Sequence, residues 1–257
     1  MRRVRTIPVL TVDGNKLVKT VRFRKPNYIG DPINAVKIFN EKEIDELIVL
    51  DITATKNNAE PNYQLIKELA GECFMPLGYG GGISDFETAK KIFDLGVEKI
   101  ILNTTIQTNS ELIRQLVEHY GSQSIVGCID VKKTFFGKQH VYFKSGEVRG
   151  KETPEGLSKR LEQIGIGEII IHNIDREGTF KGIDIDLMRS VSCSVNIPVV
   201  ACGGCQEINE FLDLIDAGCS AIAASSMFVY KQKNFNSILI NYPDQKELQE
   251  KLYSKID

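Results

Sequence analysis

The stretch PLGYGGGISDFETAKKIFDLGVEKIILNT at positions 76–104 returns in altered form as PVVACGGCQEINEFLDLIDAGCSAIAASS at 198–226. The two align without a gap at a constant offset of 122 positions. Pro76/Pro198, Gly81/Gly203, Gly82/Gly204, Asp94/Asp216, Gly96/Gly218 and Ile100/Ile222 are identical pairs. Each copy reads as an apolar strand, a glycine pair, an amphipathic helix and a second apolar strand. The same offset pairs Glu46 with Glu168, and an offset of 119 pairs Thr11 with Asp130. A unit duplicated in this way implies two equivalent halves, about 1–121 and 122–257, and a site with pseudo-twofold symmetry.

Outward from these copies, short apolar runs alternate with helical patterns along the whole chain. Strands are expected at 4–10, 47–52, 75–80, 99–102, 124–130, 168–173, 197–202 and 220–224. Amphipathic helices are expected at 32–42, 62–69, 85–95, 110–120, 153–164, 184–191 and 208–217. Eight strands alternating with helices in about 250 residues describe a (β/α)8 TIM barrel. A doubly wound sheet rarely repeats so regularly. No stretch rich in Pro, Gly or Ser reads as a linker, so 1–257 is expected to be one barrel domain built from two halves.

The composition fits a globular chain: 257 residues, 42% hydrophobic and 26% charged, with 34 acidic and 32 basic residues. A formal charge of −2 leaves no excess for a nucleic-acid-binding face. No apolar run reaches the roughly 18 residues of a membrane helix. The basic start, residues 1–5, does not continue as a signal peptide, so a soluble cytoplasmic protein is expected. Six cysteines, at 73, 128, 193, 202, 205 and 219, are too scattered for a disulfide scaffold. Cys202 and Cys205 have metal or redox spacing but no second pair, and the three histidines are spread out. Neither a metal nor a cofactor is expected.

In such barrels the chemistry sits at the C-terminal ends of the strands. The pairs Gly81-Gly82 and Gly203-Gly204 fall there, and small residues let backbone N–H groups approach an anion. Asn103-Thr104 and Ala224-Ser225 complete two matching cradles. A single glycine pair would be read as a tight turn. Two related sets imply an elongated small molecule with a phosphate at each end.

Further motifs carry a resemblance. Ile7-Pro8, Leu17-Val18-Lys19, Gly30-Asp31-Pro32, Leu50-Asp51-Ile52, Gly80-Gly81-Gly82-Ile83, Ile129-Asp130, Ile174-Asp175-Arg176, Gly178-Thr179 and Ala223-Ala224-Ser225 resemble the HisF family over about 4–230. HisF is the cyclase subunit of imidazole glycerol phosphate synthase. The resemblance implies a barrel docked to a HisH-type glutaminase as a heterodimer. Ammonia would cross the barrel to the phosphoribulosyl substrate PRFAR, giving imidazole glycerol phosphate and an aminoimidazole carboxamide ribotide (AICAR). It adds Gly178 to the phosphate contacts and assigns an ammonia gate of two bases and two acids to Arg5, Glu46, Lys99 and Glu168. Since strand side chains alternate, inward gate residues imply an inward Val9, Ile48, Leu50, Ile101 and Ile170. That is a charged ring leading to an apolar bore, which suits NH3 better than ammonium. A salt-bridged plug is the plainer alternative.

The catalytic end matches less well. The family uses two aspartates as acid and base; Asp130 is present, but Thr11 stands at the other position, with Asp13 past the expected strand end. His172, Ile101 and Glu177 also depart from the family pattern. Asp130, Thr11, Lys19 and His172 are the catalytic candidates, Lys19 matching the lysine of a mobile loop that closes over substrate. Residues 16–25 carry Lys16, Lys19, Arg22, Arg24 and Lys25, which reads as a solvated loop or an anion-facing one.

The segments 28–40 and 238–243 are most similar to the HisF-like paralogue group WbuZ. That resemblance implies ammonia supply for the amidation of an N-acetyl sugar, giving an acetamidino group in lipopolysaccharide or other surface-saccharide synthesis, with a sugar amidotransferase as further partner. A working histidine-pathway cyclase is the alternative, and a non-catalytic structural partner the second alternative. A HisA-like isomerase shares the repeat but has no use for the gate ring.

Overall fold

The computed structural model describes residues 4–134, 136–231 and 237–256. Residues 1–3, most of the basic start considered above, lie outside them. The first half of the chain runs β1 (Arg5–Asp13), β2 (Lys16–Val21), β3 (Arg24–Gly30), α1 (Pro32–Glu41), β4 (Leu47–Asp51), α2 (Tyr63–Glu72), β5 (Leu77–Gly80), α3 (Phe86–Asp94), β6 (Lys99–Leu102), α4 (Thr105–Thr108) and α5 (Ser110–Tyr120). It continues with β7 (Ile125–Lys133), β8 (Gln139–Phe143), β9 (Val148–Arg149), α6 (Pro154–Ile164), β10 (Glu168–Asn173), α7 (Ile185–Ser192), β11 (Val199–Cys202), α8 (Glu210–Asp216), β12 (Ala221–Ala224), α9 (Ser226–Val229) and α10 (Gln245–Lys251).

Eight strands, β1, β4, β5, β6, β7, β10, β11 and β12, pair in parallel in that order, and β12 returns to β1. The result is the expected (β/α)8 barrel. Strand alternation divides its core in two. Leu10, Val12, Leu47, Val49, Ile129 and Ile169 face outward, into the layer shared with the helices. Ile7, Val9, Ile48, Ile101, Val126, Ile170, Val200, Ala221 and Ala223 fill the interior, with Leu50 packed against them. All five residues expected to point inward do so.

Helix starts are set locally. Asp31 accepts hydrogen bonds from the Ile33 and Asn34 N–H groups ahead of Pro32, Asp85 caps α3 through Thr88 N (2.8 Å), and Thr153 caps α6 through Gly156 N (3.1 Å). Such caps contribute about 1 kcal/mol each. No helix among the described residues is long and apolar enough to cross a membrane.

Two expectations need correction. Residues 16–25 are not a solvated loop. They form most of an antiparallel hairpin, β2–β3, that extends β1, with Thr11 opposite Val18 and Asp13 opposite Lys16. Asp13 is therefore the last residue of β1 rather than beyond it. The second half repeats the device: β7 continues into β8 and β9, with Asp130 opposite Tyr142. The duplication thus includes an antiparallel extension after the first barrel strand of each half, and a short helix, α4 or α9, after the last.

Candidate functional site

The first residues of the barrel strands define one mouth. Arg5 opens β1, Lys99 opens β6 and Glu168 opens β10, while Glu46 directly precedes β4. Arg5 pairs with both Glu46 and Glu168. Lys99 Nζ lies 2.9 Å from Glu46 and 3.1 Å from Glu168. Each acid therefore bridges both bases, and the ring of four closes on itself. The carboxylates are buried, at 4% and 8% side-chain exposure, and the bases reach solvent at 29% and 19%. Burial opposes the Arg5 charge, but the two carboxylates outweigh it and raise its pKa. Above the ring, the interior is lined by aliphatic and small side chains up to Cys128 and Cys202.

At the opposite mouth a cavity of about 1030 Å³ is bordered by Thr11, Lys19, Cys128, Asp130, His172 and Glu177 among others. A chain of buried ionisable groups crosses its floor. Lys19 pairs with Glu177, Glu177 Oε2 lies 3.0 Å from His172 Nε2, and His172 Nδ1 stands 3.7 Å from Asp130 Oδ1. All four residues are at most 5% exposed. Burial pushes the Asp130 carboxyl up to about 6. Burial also works against the Glu177 charge, yet Lys19 and His172 hold it down at about 2. For His172, burial is outweighed by Cys202, Cys128 and Glu177, and its pKa rises well above the ordinary value.

Thr11 borders the same cavity, but its hydroxyl donates to the Val18 carbonyl within the hairpin extension. Lys19, expected on a mobile loop, sits on β2 with its side chain 3% exposed. The hairpin is docked on the segment after β10: Arg22 N donates to Glu177 O (2.9 Å), Arg22 Nε to Asp175 O (3.1 Å), and Phe23 meets the His172 ring edge-on at 4.9 Å.

The two cradles open differently. Gly81, Gly82, Asn103 and Thr104 border the large cavity. There the chain runs so close that a Cβ on Gly81 would lie 2.5 Å from Asp51 O. Gly82 N–H is taken by Thr55 Oγ1 at 3.1 Å, and Thr104 Oγ1 accepts from Lys144 N. Gly178, Gly203, Gly204, Ala224 and Ser225 border a separate cavity of about 10 Å³. Gly182 N donates to Gly204 O beside it (3.0 Å), and the buried Ser226 hydroxyl has no partner among the described residues.

Sequence reasoning did not assemble Cys128, Glu177 and Phe23 with His172. Cys128 lies two residues before Asp130 on one strand and so shares its face, a signal that was there to use. Phe23 comes from the hairpin turn, which carries no such pattern.

A barrel whose strands start at a closed charged ring and end at a cavity floored by buried ionisable groups, with a packed apolar interior between, defines the class. The chain belongs to the histidine biosynthesis protein family, whose profile matches residues 5–234. Within that family it is HisF-like. It is 49% identical over 249 residues to a Pseudomonas aeruginosa protein named "Putative imidazole glycerol phosphate synthase subunit hisF2", covering 96% of this chain and 99% of that one. A Vibrio vulnificus relative with the same name but the suffix hisF3 is 43% identical, with 96% and 95% covered. Imidazole glycerol phosphate synthase subunit HisF of Thermobifida fusca is 32% identical, with 91% and 94% covered.

Proposed function

We propose that the chain is the ammonia-conducting subunit of a cytoplasmic glutamine amidotransferase pair. A HisH-like glutaminase would dock over the charged ring and release ammonia there. The bore would deliver it to the cavity mouth, for amidation of an N-acetyl sugar to an acetamidino group in surface-polysaccharide synthesis, as in the WbuZ group. The observation that carries the reading is the closed ring of Arg5, Glu46, Lys99 and Glu168 beneath the apolar barrel interior, which we read as the bore. Such a bore favours neutral NH3, because burying an unpaired ammonium is far more costly. One further point supports a changed substrate: Thr11 stands where the family resemblance expects a carboxylate. The Gly81-Gly82 cradle would hold the phosphate of a small molecule entering the cavity.

The test is isotopic. The chain is assayed with its glutaminase and the sugar amidotransferase, on glutamine labelled at the amide nitrogen and a large excess of unlabelled ammonium. Channelling predicts labelled product; label diluted to the bulk ratio contradicts it.

A second reading, a histidine-pathway cyclase, is favoured by Asp130 and by the relatives, which carry the name imidazole glycerol phosphate synthase subunit. The Asp130 carboxyl is retained, borders the cavity and has its pKa raised to about 6, where a group can both give and take a proton.

A further inference from the structure

We infer that Cys128, Asp130 and His172 form a binding site for one divalent transition-metal ion of the zinc type, at the point where the bore meets the cavity. The proposal goes beyond the ammonia-conducting reading and does not depend on it.

The three residues come from adjacent barrel strands, β7 and β10, where Asp130 and His172 are direct neighbours in register. Cys128 and Asp130, two apart on β7, point the same way. One ligand atom from each, sulfur, oxygen and nitrogen, lies within 4.8 Å of the other two. Asp130 Oδ1 is 3.9 Å from Cys128 Sγ and 3.7 Å from His172 Nδ1. The imidazole–carboxylate separation is too long for a direct hydrogen bond, which spans about 2.7–3.2 Å. Ligands at about 2.0–2.3 Å from a tetrahedral zinc stand about 3.3–3.6 Å apart. The two separations from Asp130 are within a few tenths of an ångström of that spacing, on residues that are all at most 5% exposed.

The other side of the imidazole supplies the independent observation. A metal-bound histidine almost always donates its second ring N–H to a carboxylate, a backbone carbonyl or a water. His172 Nε2 faces Glu177 Oε2 at 3.0 Å, which fixes Nδ1 as the nitrogen available to a metal. Lys19 in turn neutralises Glu177, so Glu177 acts as a positioning residue rather than a ligand. All three proposed ligands border the large cavity, which leaves a fourth position open to it. Sulfur, nitrogen and oxygen together suit zinc, or cobalt as its probe, rather than magnesium or calcium. Binding converts the Cys128 thiol to a thiolate and takes the Nδ1 proton from the His172 imidazolium, and both protons leave to solvent. The Cys202–Cys205 motif is not the site: Cys205 is turned to Met227 Sδ at 3.7 Å.

The experiment uses the full chain without an affinity tag, stripped with chelator and titrated with Co²⁺, then Zn²⁺. The expected result is one equivalent of Co²⁺ with a sulfur-to-metal charge-transfer band, which Zn²⁺ displaces. Cys128→Ser should remove the band, and His172→Gln should abolish stoichiometric binding. Glu177→Gln should weaken affinity about 10–100-fold while keeping the band. Cys193→Ser, on the surface, should change nothing. No stoichiometric binding, binding without a sulfur band, or a band that survives Cys128→Ser would each overturn the proposal. If a variant does not fold, judged by circular dichroism, the band and stoichiometry of the unaltered chain decide.

Discussion

Thr11 is the residue on which the choice of substrate turns. Its hydroxyl donates to Val18 O, so it is both a poor proton carrier and already engaged. A positioned acid or base contributes about 10²–10⁴-fold to rate, equivalent to about 3–5 kcal/mol of barrier. The native chain is therefore expected to turn over PRFAR with ammonium far below the usual order of 1 s⁻¹. Thr11→Asp should recover part of the activity, and Asp130→Asn should abolish what is recovered. PRFAR absorbance loss is the readout, and native turnover of order 1 s⁻¹ would favour the cyclase reading. Ile101 illustrates compensation at the same scale. Its Cδ1 occupies space that a Cβ on Gly78 would enter, at 2.9 Å. Gly78→Ala should cost about 1–3 kcal/mol, and Ile101→Val, which removes Cδ1, about 0.5–1.5 kcal/mol. In urea unfolding the double variant should lose less than the sum, whereas additivity would mean the contact is unimportant. Thr11 was legible through its repeat partner Asp130; its hydrogen bond was not, because the acceptor lies in a segment whose charges disguise a strand.

The elements show why that segment was misread. The eight barrel strands are short apolar runs bounded by helices, so periodicity alone locates them. In the β2–β3 hairpin, charge dominates: Lys16, Arg24 and Lys25 are exposed, and only Lys19 turns inward. The inward turn depends on a tertiary partner, Glu177, which is remote in sequence. β8 and β9 were missed because they are short, five and two residues, and extend a barrel strand before the next helix instead of standing between two helices. The hairpin's docking has a testable weak point at Gly178. Its φ is +71°, and a Cβ there would lie 2.5 Å from Thr20 O. Gly178→Ala should displace the hairpin and speed tryptic cleavage at Arg22 and Arg24 several-fold, while far-UV circular dichroism stays that of the barrel. Unchanged cleavage would mean the hairpin tolerates the extra carbon without moving.

Inside the barrel, buried charge sits at the two ends of an apolar interior. The ring at the base was legible through the family resemblance, and strand alternation then carries its inward direction up to Val9, Ile48, Ile101 and Ile170. The ion chain at the top was only partly legible, because Lys19, Glu177 and His172 meet through a loop and a hairpin. If the ring admits ammonia, breaking it should uncouple the two nitrogen sources without unfolding the barrel. The most direct measurement compares product formation by Lys99→Ala and Glu168→Ala chains with glutamine and with added ammonium. The account predicts a loss of roughly tenfold or more with glutamine and near-native rates with ammonium; on the scale of about 1.4 kcal/mol per decade, that split is at least one decade. Equal losses with both sources would contradict it and make the ring a structural plug.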